Sequence, residues 1–217
     1  MQEKKYRMGQ LVLGVVLMLF FISFSVTVTL NFRPLYHWDM KAMNLSAVSG
    51  LTEEQILRNY DTLIDYNNIW GPDTLEFPDL AMSESGRIHF EEVKRVFSVF
   101  EWMVPVTLVL GVAGIWCFHQ KKQFLYLKYT ALLSILVPAA IGIAMAVSWD
   151  TVFVTFHKIV FRNNLWIFDA RTDPVITILP DTFFLHCAIL IIAGVLIGSG
   201  ICCILYLKKR KETEIVV

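Results

Sequence analysis

"LVLGVVLMLFFISFSVTVTL", residues 11–30, is a run of twenty residues without Asp, Glu, Lys or Arg. About 20 apolar residues in a helix cross the hydrocarbon core of a bilayer. Three more charge-free runs follow, at 102–118, 129–149 and 182–207. The first of these has only 17 residues, but Val96–Phe100 extends it across a single charge, Glu101. The pattern predicts four transmembrane helices in an all-α membrane protein. Charged residues make up 18% of the 217-residue chain, below the roughly 25% of soluble domains. The flank "QEKKYR" resembles that of a secretory signal. However, run 11–30 exceeds a signal core and no small-x-small cleavage site follows it, so a retained anchor is expected.

Formal net charge is zero, but its distribution predicts orientation. Lys4, Lys5 and Arg7 precede the first run, Lys121, Lys122 and Lys128 flank the turn between the second and third, and "KKRK" at 208–211 follows the last. Residues 31–100 hold 6 basic and 11 acidic side chains, and 149–183 hold 3 and 4. Lys and Arg concentrate on the cytoplasmic side of a membrane. Both termini are therefore expected inside, N-in and C-in. The expected organisation is one integral membrane domain, 1–217, with an extracellular insertion at 31–100 and an extracellular interfacial segment at 149–183. The basic clusters are small and lie where the membrane rule puts them, which argues against a nucleic-acid partner. Cys117, Cys187, Cys202 and Cys203 all fall in apolar runs, so they are expected to be small buried hydrophobes with no disulfide framework.

In the first outer region, "LTEEQILRNYDTLIDYN" predicts a helix capped by Thr52, with Ile56, Tyr60 and Ile64 on one face. Gly71-Pro72 marks a turn, and "TLEFPDLAM" (74–82) is expected as a short strand or hairpin at the membrane surface. From His89 a helical period returns through Phe90, Val93, Phe97 and Phe100, predicting a helix that runs into the second span. In the second outer region, "VFVTFHKIVF" (152–161) is apolar on nearly every side and too short to span. It predicts an interfacial or re-entrant helix, tolerated at membrane depth where protein covers it. "TDPVITILP" carries a helix-start signature, with Asp173 as cap and Pro174 at the first position.

His119 falls at a helix end beside Lys121, His37 reads as interfacial, and His186 as a structural hydrogen-bonder near the outer end of the last span. His89 and His157 lie in outer segments that topology allows to converge. The residues alone leave His157 open between a functional and a satisfied structural role; for His89 alone the structural role is ahead. No H-E-x-x-H zinc pattern and no G-x-S-x-G frame is present, so neither a metal nor a serine nucleophile is signalled. No ionisable residue lies deep within a span, which argues against an ion path.

Residues 156–184, "FHKIVFRNNLWIFDARTDPVITILPDTFF", and 83–97, "SESGRIHFEEVKRVF", resemble the bacterial lipoprotein intramolecular transacylases, Lit. The first stretch follows the family pattern of Phe-His, a short apolar run, Trp, Asp and Leu-Pro before paired Phe. The second has its His ahead of an acidic residue, with Glu92 where Asp is more usual. The resemblance covers most of the chain. It implies transfer of the sn-2 acyl chain of a diacylglyceryl-lipoprotein to the α-amine of its own N-terminal cysteine, giving the lyso-form. It implies His157 and His89 as the catalytic pair, with no cofactor and no metal. Arg162, Trp166 and Asp173 are second-tier substrate-binding candidates. The partners implied are diacylglyceryl-modified lipoproteins and membrane phospholipid, and the location is the extracellular face of a bacterial cell membrane. A non-catalytic lipid-binding accessory and a metal-assisted acyl transfer are the alternatives.

Overall fold

A computed structural model of the chain describes residues 2–215, with side chains over 6–212; the Lys4 and Lys5 side chains lie outside the described residues. The regular elements described are all helical: α1 (Gln2–Asn31), α2 (Arg33–Ala42), α3 (Leu45–Ser49), α4 (Glu53–Asn67), α5 (Glu84–Gln120), α6 (Leu125–Val147), α7 (Trp149–Val160), a 3-10 turn (Pro174–Thr177) and α8 (Asp181–Ile215). Among the described residues, α1, α5, α6 and α8 are by length and composition the four helices able to cross a membrane. They coincide with the four charge-free runs, and α5 runs unbroken from Glu84 through the second of them.

Two compact units result. The first comprises Met1–Val26, Trp102–Ala144 and Leu190–Val217. Its buried centre is Leu13, Leu17, Tyr126, Leu127, Ala131 and Cys202. Without a hydrophobic drive between helices in lipid, close approach and interhelical hydrogen bonds must hold them. Both are present. A Cβ on Gly14 would stand 2.7 Å from the Cβ of Tyr129 and 3.2 Å from the backbone nitrogen of Thr130. The Tyr126 N–H donates to Gln10 Oε1 at 3.2 Å, and Ser199 Oγ donates to the Ala131 carbonyl at 2.9 Å. Between α5 and α6 the chain turns at Lys122, whose φ is 50°. Of the four cysteines, only Cys202 is fully buried; Cys117 and Cys203 are exposed and Cys187 is half-buried. The expectation of four buried cysteines is corrected: on helices this apolar, an outward position costs a small hydrophobe nothing in lipid.

The second unit comprises Thr27–Glu101 and Met145–Ile189. Its core is aromatic. Tyr36 and Tyr60 stack at 3.6 Å between ring centres, and Phe183 meets both edge-on, at 5.2 and 5.9 Å. The Tyr36 hydroxyl donates to the Ile178 carbonyl at 2.7 Å, which satisfies the one polar atom of a ring with no exposed surface. As expected, Ile56, Tyr60 and Ile64 are buried and Thr52 caps α4, in a capping box completed by Gln55. Phe90 is buried and Phe97 packs against the same core. α2 and α3 were not signalled by periodicity; Pro34 starts α2 at a first-turn position.

Residues 74–82 are not a strand, and the expected short β element is corrected. The segment is irregular, with Leu75 buried and Phe77, Leu80 and Met82 packed on the core. Its polar groups find partners on α4 instead of on a neighbouring strand. The Asp79 N–H donates to Asn59 Oδ1 at 3.2 Å, Asn59 Nδ2 donates to Asp79 Oδ2 at 2.8 Å, and Arg58 pairs with Asp79 at 2.5 Å. The 3-10 turn is likewise the only regular piece of the helix expected after Asp173, and Asp173 makes no side-chain cap bond to it.

Gly14→Leu is expected to lower the melting temperature of the purified protein in detergent, through overpacking worth about 1–3 kcal/mol. A variant as stable as the parent would contradict the close packing of α1 on α6.

Candidate active site

α7 begins at Ser148, whose Oγ accepts the Thr151 N–H, and it ends where the Phe161 N–H donates to the His157 carbonyl. His157 sits in its last turn. Its Nδ1 lies 2.8 Å from the carbonyl oxygen of Phe153, one turn earlier. A carbonyl only accepts, so Nδ1 carries the hydrogen, and in the neutral ring the lone pair is on Nε2. The helix backbone thus selects the tautomer that presents a base. Around the ring stand Phe153 at 4.2 Å, Trp166 at 4.7 Å, Phe156 at 5.4 Å and Phe161 at 5.5 Å, centre to centre. Burial in this setting lowers the affinity of His157 for a proton below that of an ordinary imidazole, and the bond to Phe153 opposes the shift only in part.

His89 comes from the second turn of α5, thirteen residues ahead of the apolar run that starts at Trp102. It is 6% exposed. Phe161 and Phe168 meet its ring edge-on at 4.7 and 5.5 Å. Its ring centre is 6.2 Å from that of His157, with 33° between the planes. The two histidines, 68 positions apart in sequence, therefore stand within reach of one bridging group. His89 Nδ1 is buried and has no hydrogen-bond partner. Burial, and then repulsion from a protonated His157, press the pKa of His89 down to about 4. Both rings are neutral at physiological pH: one offers a lone pair, the other an unused ring nitrogen.

The start of α5 is fixed from outside. Ser83 Oγ accepts the Gly86 N–H at 3.0 Å, as an N-cap does. The Ser83 N–H itself donates to Asp173 Oδ1 at 2.8 Å, and Thr172 Oγ1 donates to Asp173 Oδ2 at 2.8 Å. Asp173 is 2% exposed. Its approach requires a glycine: a Cβ on residue 86 would lie 2.2 Å from Asp173 Oδ1. A carboxylate there also faces the positive end of the helix.

The remaining site candidates are distributed as follows. Trp166 packs on His157, and its indole N–H donates to the Asn163 carbonyl at 2.9 Å. Arg162 is exposed, at a left-handed backbone position with φ 58°. His186, expected as a structural hydrogen-bonder, has its Nδ1 2.7 Å from Oδ1 of the buried Asp39. One residue that sequence reasoning passed over, Asn163, touches the site, and it meets the acidic position of the second motif: Asn163 Nδ2 donates to both oxygens of Glu92, at 2.9 and 3.1 Å. Among the described residues no three His, Cys, Asp or Glu side chains converge in a set that could hold a metal ion.

Comparison with known proteins adds the following. Residues 11–184 match the family model of the lipoprotein intramolecular transacylase Lit. Among solved structures, the chain is similar to the membrane-integral lipoprotein intramolecular transacylase Lit from Bacillus cereus, with a TM-score of 0.92 and 31% identity, over 96% of this chain and 97% of that one. A variant of that protein with a histidine replaced by arginine gives a TM-score of 0.89 at 30% identity, over 100% of this chain and 96% of the other. An uncharacterised protein of Aquifex aeolicus is 30% identical over 96 residues, which is 44% of this chain and 43% of that relative, so the match spans less than half of its length.

Asp173→Ala is expected to free the Ser83 N–H and loosen the first turns of α5, at a cost of about 1–3 kcal/mol. Hydrogen exchange followed by mass spectrometry reads this as faster exchange confined to the start of α5. Unchanged exchange there would contradict the role given to the Asp173 carboxylate.

Proposed function

Since the chain belongs to the lipoprotein intramolecular transacylase family, Lit, we propose that it moves the sn-2 acyl chain of a diacylglyceryl-lipoprotein onto the α-amine of the same N-terminal cysteine, with His157 and His89 as the acting groups. It is a multi-pass membrane protein. The observation that carries the reading is the pair of neutral imidazoles 6.2 Å apart, one of them pinned by Phe153 with its Nε2 lone pair free.

Amine and ester sit on one substrate molecule, so the enzyme's main task is orientation. The cysteine α-ammonium, with an ordinary pKa of about 7.7–8.0, first releases one proton to bulk water, and the neutral amine is what attacks. His157 Nε2 takes the proton lost as the C–N bond forms at the sn-2 carbonyl carbon. The His89 N–H donates to the oxyanion that develops on the former carbonyl oxygen. The C–O bond to glycerol then breaks, and the proton held by His157 passes to the departing sn-2 oxygen. The products are an amide, a free glycerol hydroxyl and a neutral His157, so the cycle closes without a covalent enzyme intermediate. His89 Nδ1 is buried and unpartnered, so no protein acceptor there competes with a substrate oxygen for the hydrogen of the ring, which supports the donor role.

Trp166 walls one face of His157, and in this reading it anchors the site at the lipid headgroup level. Exposed Arg162 binds the polar part of the lipid or peptide. Asp173, whose two oxygens are both engaged, serves the site through the start of α5. Charge distribution along the chain supports N-in and C-in orientation, with residues 31–100 and 149–183, and hence the site, on the extracellular face of the bacterial membrane.

The test is mass spectrometry of lipoprotein N-termini, in cells and with purified protein acting on a synthetic diacylated lipopeptide. His157→Ala is expected to lower lyso-form production by at least about 10²-fold, the ordinary contribution of a general base. Full production by this variant would sink the assignment, and an active-looking fold with no acyl shift in the wild type would favour a non-catalytic accessory.

The pH profile follows from the depressed affinity of His157. The active form is unprotonated, so kcat/KM, once divided by the fraction of substrate present as free amine (pKa about 7.7–8.0), is expected to hold as pH falls through the ordinary imidazole range near 6.5 and to decline only below it. An enzyme limb centred above 6.5 in that corrected profile would contradict a neutral His157 base.

A further inference from the structure

Glu92 follows His89 by three residues on α5, so the two share a helix face one turn apart. Asn163 comes three residues after the last residue of α7. Between them and the histidines runs a continuous set of contacts. Asn163 Nδ2 donates to both Glu92 oxygens, at 2.9 and 3.1 Å. Asn163 Oδ1 accepts the Leu165 N–H at 3.0 Å, closing a local turn. The Asn163 carbonyl accepts the Trp166 indole N–H at 2.9 Å. Trp166 then lies 4.7 Å from the His157 ring at 36°. Each polar atom of the Asn163 side chain is used, and each use ties a different piece of the site.

We infer that Glu92 and Asn163 are positioning residues: a carboxylate–amide clasp that couples the turn of α5 bearing His89 to the loop behind His157 and sets the separation of the two rings. The inference rests on the proposed transacylation. Neither residue hydrogen-bonds either imidazole, so neither is assigned a chemical step. The clasp has direction. An ionised carboxylate only accepts and an amide nitrogen only donates, and a hydrogen bond to a charged acceptor is the stronger kind. Arg162 contributes through its backbone: its left-handed φ of 58° turns the chain out of α7 at the residue just before Asn163. Near-attack geometry is steep in distance, and a misplacement of about 1 Å can cost about 10²-fold in rate. A contact that fixes the relation of two segments therefore acts on turnover without touching substrate.

Asn163→Asp isolates the clasp. It keeps the side-chain oxygen that accepts from Leu165 and leaves the backbone bond to Trp166, but it replaces the donor with a second carboxylate facing Glu92. With the synthetic diacylated lipopeptide and full-length protein in detergent, kcat is expected to fall about tenfold or more, with KM within about twofold and the fold intact. The double variant Glu92→Gln with Asn163→Asp rebuilds the pair with donor and acceptor exchanged, and is expected to recover most of the lost kcat. A second readout does not depend on turnover: the rate at which diethyl pyrocarbonate modifies His157, followed by peptide mass spectrometry. It is expected to rise in Asn163→Asp and to return in the double variant. Wild-type kcat in Asn163→Asp, a loss confined to KM or melting temperature, or no recovery in the exchanged pair would each overturn the clasp. A wild type that performs no acyl shift while the modification rates follow the expected order would overturn the reaction and leave the clasp standing.

Discussion

One hydrogen bond organises the site: the His157 Nδ1–H held by the Phe153 carbonyl, four residues earlier on the same helix. It leaves one ring nitrogen as a lone pair and fixes the plane of the ring. That bond exists only if residues 149–160 are helical, and a helix there has to be built from a segment too short to span and too apolar for open solvent. Ser148 starts it, the Phe161 N–H closes it, and the left-handed residue Arg162 ends it. The basicity of His157 is therefore a product of local backbone geometry, with surrounding rings adding the low-polarity setting that disfavours its charged form.

Bringing His89 alongside is a tertiary problem, and the structure solves it with polar groups. Asp173 grips the backbone just ahead of α5, Gly86 leaves room for that grip, and Glu92 meets the loop that follows α7. The aromatic stack of Tyr36, Tyr60 and Phe183 gives these segments a firm base. Edge-on rings about His89 exclude water without offering its Nδ1 a partner. A buried imidazole with an unused nitrogen is costly to stability, a cost typical of a position retained for chemistry.

Much of this was legible in the sequence, and the parts that were not share a cause. Charge-free runs marked all four long helices, because burial in lipid demands length and composition together. Thr52 and the spacing of Ile56, Tyr60 and Ile64 marked α4, because capping and period are local. The same local logic failed at residues 74–82, which were expected as a short strand or hairpin. The partner of that segment is a helix, with Asn59 and Arg58 meeting Asp79 across some twenty residues. It failed again at Asp173, where Asp-Pro suggested a cap for the following turn and the carboxylate instead reaches back to Ser83. Asn163 was missed for the same reason, and Glu92 stood out only as the acidic position of a motif: only the fold gives them to each other.

No residue of α7 is fully buried, whereas α5 sets Gly86, His89 and Phe90 deep among their neighbours. The two walls of the site thus differ in what covers them: protein closes over the turn that bears His89, and much of α7 is left open to its surroundings.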